Sequence, residues 1–243
     1  GTPITVTAQQ EGKTPEQVAM EYHKLNSDSI EQMGISFDLF SHTHTEEHAE
    51  VALSILKKLD DNGYIEPRIS EEPYDSIANQ FLPDRYVEGN CPHCNYDSAR
   101  GDLCDKCGKT LDPKELISPR SKLNPDAKIE FRETEHLFFK LSEFRDVLLE
   151  WLSEGKEHWR PSVINFTRNW LKEGLIDRAV TRDLDWGIEI PREGYEDKRM
   201  YVWFEAVMGY YSASIHWAKN QGKPEEWKKW WENEDSEHYY FMA

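Results

Sequence analysis

Cys91-Pro-His-Cys94-Asn-Tyr-Asp-Ser-Ala-Arg-Gly-Asp-Leu-Cys104-Asp-Lys-Cys107-Gly108 holds all four cysteines of the 243-residue chain. Each Cys-x-x-Cys pair can turn two sulfurs toward one point. Together the pairs supply four thiolates, the set that tetrahedral Zn²⁺ takes at about 2.3 Å in a closed structural site. One zinc ion is therefore expected on Cys91, Cys94, Cys104 and Cys107, with His93 left out because four sulfurs suffice. Two disulfides would suit a small secreted scaffold, but nothing after Gly1 reads as a signal peptide, and a chain of this length needs no staples. A redox Cys-x-x-Cys usually stands alone beside a βαβ unit and is not doubled at this distance. A closed site leaves no position for water, so the metal is expected to fold a small knob and perform no chemistry. Four thiolates around zinc carry a net charge of about −2, which Arg85, Arg100, Lys106 and Lys109 lie near enough in sequence to offset.

Around this knob the composition is that of a soluble intracellular protein, 38% hydrophobic and 31% charged, and a cytoplasmic location is expected. No apolar run approaches the roughly 20 residues of a membrane span. A formal charge of −17 argues against non-specific coating of nucleic acid, which needs clustered Lys and Arg, without excluding a local basic face. Nine Trp and eleven Tyr are many, and most follow residue 151. Most of them are expected in the core.

Upstream of the knob the periodicity is helical. Thr2-Pro3 opens a first helix that stops at Gly12, and Thr14-Pro15-Glu16-Gln17 is a capping box ahead of Val18, Tyr22, Leu25, Ile30 and Met33. Ile35-Ser-Phe37-Asp-Leu39 alternates as a short strand or extended segment, and Thr45 caps a helix that runs to Gly63. His44 and His48 sit four apart, but no third ligand stands at fixed spacing, so a solvated helix entry is expected there in preference to a metal site. From 66 to about 120 Pro, Gly, charge and cysteine dominate. Downstream, Glu135-His-Leu-Phe-Phe-Lys-Leu141 reads as a buried strand. Ser142 and Gly155 bracket one helix, and Pro161 to Gly174 form the next. Arg199-Met-Tyr-Val-Trp-Phe204 reads as a strand and Gly209 opens a helix. Tyr239-Tyr-Phe-Met-Ala243 resembles a buried parallel strand. Both ends therefore read as cut through structured elements, and an internal piece of a longer protein is expected.

Gly1-Thr-Pro-Ile4, Gln80-Phe-Leu-Pro-Asp-Arg-Tyr-Val-Glu-Gly89, the four-cysteine knob, Glu135-His-Leu-Phe-Phe139, Thr181-Arg-Asp183 and Tyr201-Val-Trp-Phe-Glu-Ala206 occur in an order similar to that of the methionyl-tRNA synthetases. The resemblance runs over essentially the whole chain. It implies an α/β protein: an incomplete Rossmann-type class I synthetase catalytic core, interrupted by a connective-peptide insertion with a zinc knuckle. Residues 1–65 would belong to the first Rossmann half. Residues 66–198 would be the insertion, with the knob at about 80–120, and residues 199–243 would start the second half. The implied reaction activates methionine with ATP/Mg²⁺ to methionyl-adenylate and transfers it to the acceptor end of tRNA(Met). Of the methionine pocket, Trp203, Ala206 and Tyr210 match the family pattern. Read without the resemblance, Trp203 and Tyr210 would be ordinary core aromatics. The signatures His-x-Gly-His and Lys-Met-Ser-Lys-Ser, which stabilise the phosphates in the family, do not occur in the sequence. The resemblance therefore implies no catalytic residue within this chain and no activity from it alone.

This chain departs from the family pattern at several points. Glu205-Ala206-Val207 stands where many relatives have Asp-Ala-Pro, and Arg178 where some place a Trp. Tyr74-Asp-Ser-Ile-Ala-Asn-Gln80 stands where some carry a second cysteine knuckle, so one zinc is expected. The knob's cations, with Arg120 and Lys122, would either touch tRNA phosphates or only balance charge. Two rival readings are another class I synthetase and a stand-alone zinc-knuckle interaction module. A zinc that holds a cysteine substrate would need an open coordination position, which four cysteines do not leave.

Overall fold

The computed structural model describes residues 2–240, and the chain falls into two compact units. The first comprises Gly1–Ile55, Trp186–Ile188 and Val202–Ala243. Its amino-terminal part holds α1 (Thr2–Glu11), α2 (Pro15–Gln32) and most of α3 (Glu46–Asp61). The capping box at α2 forms as expected: the Gln17 amide donates to Thr14 Oγ1 at 3.2 Å, and the Thr14 amide donates to Gln17 Oε1 at 2.9 Å. The segment from 35 to 39 forms no strand and bends at Asp38.

All nine described strands lie in the second unit, Leu56–Asp185 with Glu189–Tyr201, and every pairing is antiparallel. They are β1 (Ile65–Asp75), β2 (Gln80–Phe81), β3 (Val87–Asn90), β4 (Ala99–Arg100), β5 (Ile117–Ser121), β6 (Ile129–Phe139), β7 (Arg178–Ala179), β8 (Thr181–Asp183) and β9 (Lys198–Met200). The frame of the unit is the long β1–β6 pair, in register from Ile65↔Phe139 to Asp75↔Ile129. β2 and β7 complete this sheet in the order β2-β1-β6-β7. β1 borders β2 only at Tyr74 and Asp75, so most of one side is a free edge, where Pro67 and Pro73 are tolerated. Its turn into β2 closes on the buried Asp75, whose Oδ1 accepts from the amides of Ile77 and Ala78, both at 2.9 Å. A second small sheet, β4-β3-β5, carries the cysteines. Gly89 is needed in it: a Cβ there would lie 3.0 Å from both the Ile117 carbonyl and Leu116 Cβ, beside the irregular register between Glu88 and Asn90.

The helices α4 (Arg145–Trp151) and α5 (Pro161–Glu173) pack through buried Leu152, Leu171 and Leu175. Val147, Trp151, Val163, Phe166 and Trp170, which the periodicity places on apolar faces, remain exposed.

A buried polar network ties β6 to β8 and β9. His136 Nδ1 lies 3.1 Å from Thr181 Oγ1, and its Nε2 lies 3.2 Å from Asp183 Oδ2. Lys198 pairs with the same carboxylate and donates to Thr134 Oγ1 at 2.6 Å. Burial pushes the Asp183 carboxyl upward, but the bonds from His136 and Lys198 outweigh it and hold the group below the usual range. A depressed carboxylate contributes stability above its unfolded pKa and loses it as pH falls through the folded one, so this unit is expected to weaken below about pH 4. Asp183→Asn should cost about 3–5 kcal/mol at neutral pH, because the buried Lys198 ammonium loses its counter-charge. It should also flatten the acid limb of a urea-midpoint profile against pH. A variant with unchanged midpoints would remove the network from the account.

The chain returns to the first unit with α6 (Val202–Glu205), a 3₁₀ turn over Ala206–Met208, α7 (Gly209–Asn220) and α8 (Lys228–Trp231). The strand expected at 199–204 is thus corrected: it stops at Met200 and Val202 begins a helical run. β8 offers only three partners, Thr181, Arg182 and Asp183, so the ladder ends there despite the β-forming Tyr201-Val-Trp-Phe. Tyr239 and Tyr240 are in no strand, and the rest of the expected terminal strand lies outside the described residues.

Candidate metal centre and aromatic helical face

The two cysteine pairs form matching knuckles. The Cys91 amide donates to the Tyr96 carbonyl at 2.8 Å, and the Asn95 amide donates to the Cys91 carbonyl at 2.9 Å. The second knuckle repeats this, Cys104 to Lys109 at 2.9 Å and Gly108 to Cys104 at 2.8 Å. Both turns need a left-handed residue just after the second cysteine, supplied by Asn95 (φ 57°) and Gly108 (φ 69°), two residue types that tolerate this conformation. This small duplication is too short to stand out in the sequence beyond the cysteines themselves.

The knuckles face each other and bring all four sulfurs within 4.8 Å of one another. Cys91 and Cys107 Sγ are 3.9 Å apart, and Cys94 and Cys104 Sγ are 3.6 Å apart. The edge of a tetrahedron with metal–sulfur bonds of about 2.3 Å is about 3.8 Å, which these two separations bracket, so the donor set suits a four-sulfur ion. Crowding the thiols spreads their titration. On Cys104 the upward push of burial is overcome by the Cys107 and Lys106 amides, which bring it down to about 7. On Cys94 the Tyr96 amide pulls downward, but burial and the three other thiols drive it up to about 12. A cation displaces such protons, so binding here is coupled to proton release. Among the described residues only these cysteines gather three or more metal-ligating atoms.

The cations near the knob are mostly engaged with carboxylates. Arg85 Nε donates to Asp102 at 3.1 Å, and Arg100 forms a two-pronged pair with Asp105. Lys122 reaches Glu88 at 2.6 Å, and Arg120 lies 3.6 Å from the same residue. Lys106 and Lys109 are exposed.

The second set of residues singled out in the sequence falls on the helical run from 202 to 220. Trp203, Ala206 and Tyr210 sit at i, i+3 and i+7, and all three are exposed, Trp203 by 65% and Tyr210 by 48%. The Tyr210 ring meets that of Tyr240 edge-on at 5.2 Å. They are therefore not core aromatics. The inward face of the same run carries Glu205, Met208 and Ser212, which are buried.

Against that inward face lies His48, which is fully buried, contrary to the solvated helix entry expected for it. Its Nε2 donates to Glu205 Oε2 at 2.6 Å, and its Nδ1 is 2.9 Å from Ser212 Oγ. Neighbouring Glu47 accepts from Lys219 Nζ at 3.2 Å and lies 3.3 Å from His216 Nδ1. His44, by contrast, is part-exposed and 3.6 Å from Glu16. The signal for His48 was present in the sequence: it stands three before Val51 and four before Ala52, on the apolar stripe of α3. An apolar cleft of about 150 Å³ between α4 and α5, lined by Leu148, Trp151, Thr167 and Trp170 among others, carries no titratable side chain and offers no chemistry.

The family model of the tRNA synthetases class I (M) matches residues 1–243. The chain belongs to the class I (M) tRNA synthetases. A methionine--tRNA ligase of Thermomicrobium roseum is 52% identical over all of this class I synthetase chain, and one of Dehalococcoides mccartyi is 53% identical. The chain spans 41% and 43% of the length of these two relatives. In structure it is similar to the Mycobacterium tuberculosis methionyl-tRNA synthetase in complex with methionyl-adenylate, with a TM-score of 0.61 over 88% of this chain and 37% of that one. The identity there is 20%, so that likeness shows the fold alone. The α/β class I synthetase fold is thereby established. No described helix is long and apolar enough to cross a membrane.

Proposed function

We propose that this chain is a segment of a cytoplasmic methionine--tRNA ligase, which activates methionine with ATP/Mg²⁺ and passes it to tRNA(Met). The observation that carries this reading is a family match over the whole chain, together with relatives of that name at 52–53% identity. Residues 1–65 and 199–243 belong to the two Rossmann halves and residues 66–198 to the connective insertion. The compact second unit, Leu56–Asp185 with Glu189–Tyr201, supports that division.

In this reading Trp203, Ala206 and Tyr210 receive the methionine side chain. A thioether gains up to about 1.5 kcal/mol from contact with aromatic rings. Ala206, between the two aromatics, leaves room for an unbranched chain. The Tyr210 hydroxyl donates to the sulfur, which an aliphatic competitor cannot accept. Cys91, Cys94, Cys104 and Cys107 hold one structural zinc ion, and the 3.6–3.9 Å sulfur separations support that assignment. The metal fixes the knob in the insertion near the tRNA acceptor end, where exposed Lys106 and Lys109 are the side chains best placed to meet phosphate. The groups that stabilise the transferring phosphate lie in segments of the parent polypeptide other than this one.

The test is charging of tRNA(Met) with labelled methionine by the natural full-length polypeptide. Methionine should be esterified to that tRNA and to no elongator tRNA of another amino acid. Charging with a different amino acid would overturn the reading.

A further inference from the structure

We propose that His48 is a positioning residue for the methionine site, acting as a clamp that sets the rotation of the helix bearing Trp203 and Tyr210. The inference rests on the function proposed above.

The helix carries two triplets with the same spacing. Trp203, Ala206 and Tyr210 face outward, and Glu205, Met208 and Ser212 face inward. The triplets are offset by two residues, or about 200° of helical rotation, so they stand on opposite faces. Whatever fixes the inward face fixes the outward one. Met208 supplies only non-directional packing, which a turn of the helix about its axis would partly preserve. His48 supplies direction. Its side chain is fully buried, and both ring nitrogens are engaged, Nε2 with Glu205 at 2.6 Å and Nδ1 with Ser212 at 2.9 Å.

A carboxylate only accepts, so Nε2 carries the hydrogen donated to Glu205. Nδ1 then accepts from the Ser212 hydroxyl, which also lies 3.2 Å from the Gly209 carbonyl. The two bonds reach residues 205 and 212, on either side of the 3₁₀ turn at Ala206–Met208, and hold α6 and α7 to one register. A slip of one residue would swing the aromatics by about 100° and leave Glu205 buried without a partner, which is costly.

The expected consequence is selective. In the full-length enzyme His48→Ala should raise KM for methionine about tenfold or more and leave KM for ATP within about twofold, since the clamp orients only the methionine face. His48→Gln, whose amide can donate to Glu205 and accept from Ser212, should restore most of the loss. Amide exchange of 202–214 should quicken about tenfold in His48→Ala and return toward wild type in His48→Gln, with residues 87–121 unchanged. If His48→Ala loses protection of β1 and β6 as well, it has unfolded, and Ser212→Ala decides the matter with an expected methionine KM rise of about threefold. A folded His48→Ala or Ser212→Ala with wild-type methionine KM and wild-type exchange of 202–214 would overturn the proposal. If the wild-type enzyme showed no methionine dependence, the functional reading would fail instead, while the exchange measurement would still report on the clamp.

Discussion

Cys104→Ser is expected to release the metal and melt the knob while the long β1–β6 pair survives. Cys104 is fully buried and belongs to the knuckle that closes on Lys109. A serine hydroxyl is a poor substitute for a thiolate that binds a soft ion. The three-stranded sheet β4-β3-β5 is small: one of its two pairings is to a two-residue strand and the other has an irregular register. It cannot bury enough apolar surface to hold itself together, whereas a structural zinc site contributes about 10–16 kcal/mol of apparent binding energy to folding. Wild-type protein should therefore contain one zinc per chain by elemental analysis, and the variant should contain almost none. Amide protection of 87–121 should fall while that of 65–75 and 129–139 persists. A zinc-free variant that kept its protected knob would show that the cysteines are ordinary core residues.

Trp203→Ala should lower methionine kcat/KM by about 30- to 1,000-fold in the full-length enzyme. The ring is 65% exposed on the helix, so a ligand side chain that covers it gains both buried apolar area and a sulfur–aromatic contact, together about 2–4 kcal/mol. Tyr210→Phe keeps the ring and removes only the hydroxyl, so it should cost less in affinity and more in discrimination. Steady-state pyrophosphate exchange with methionine and with an aliphatic isostere separates the two effects. Losses of equal size for both amino acids in Tyr210→Phe would argue against a hydroxyl–sulfur bond.

Much of this architecture was legible in the sequence wherever one local rule acts alone. The capping box at Thr14 and Gln17 formed as written because its partners are three residues apart. The cysteines converge because their spacing is a ligand spacing. Legibility failed where distant partners decide. β1 carries Glu66, Arg68, Glu71 and Glu72 with two prolines, which reads as loop, and only its pairing with β6 makes it a strand. Tyr201-Val-Trp-Phe204 has the residues of a strand, but β8 is too short to pair with them. His48 lay on a visible apolar stripe, yet its partners Glu205 and Ser212 are 157 and 164 residues away. Within two stretches that carry the family resemblance, His136, Thr181 and Asp183 meet in a buried network, so those residues tie β6 to β8.

The methionine-recognising role proposed for Trp203, Ala206 and Tyr210 needs phosphate-stabilising groups that this chain does not carry as the family signatures. ATP–pyrophosphate exchange, run with each of the twenty amino acids on the natural full-length protein and on the 243-residue chain, separates the two. Exchange by the full-length protein is expected with methionine far above every other amino acid, and none by the 243-residue chain. Methionine-dependent exchange by the 243-residue chain, or full-length exchange driven by another amino acid, would contradict this expectation.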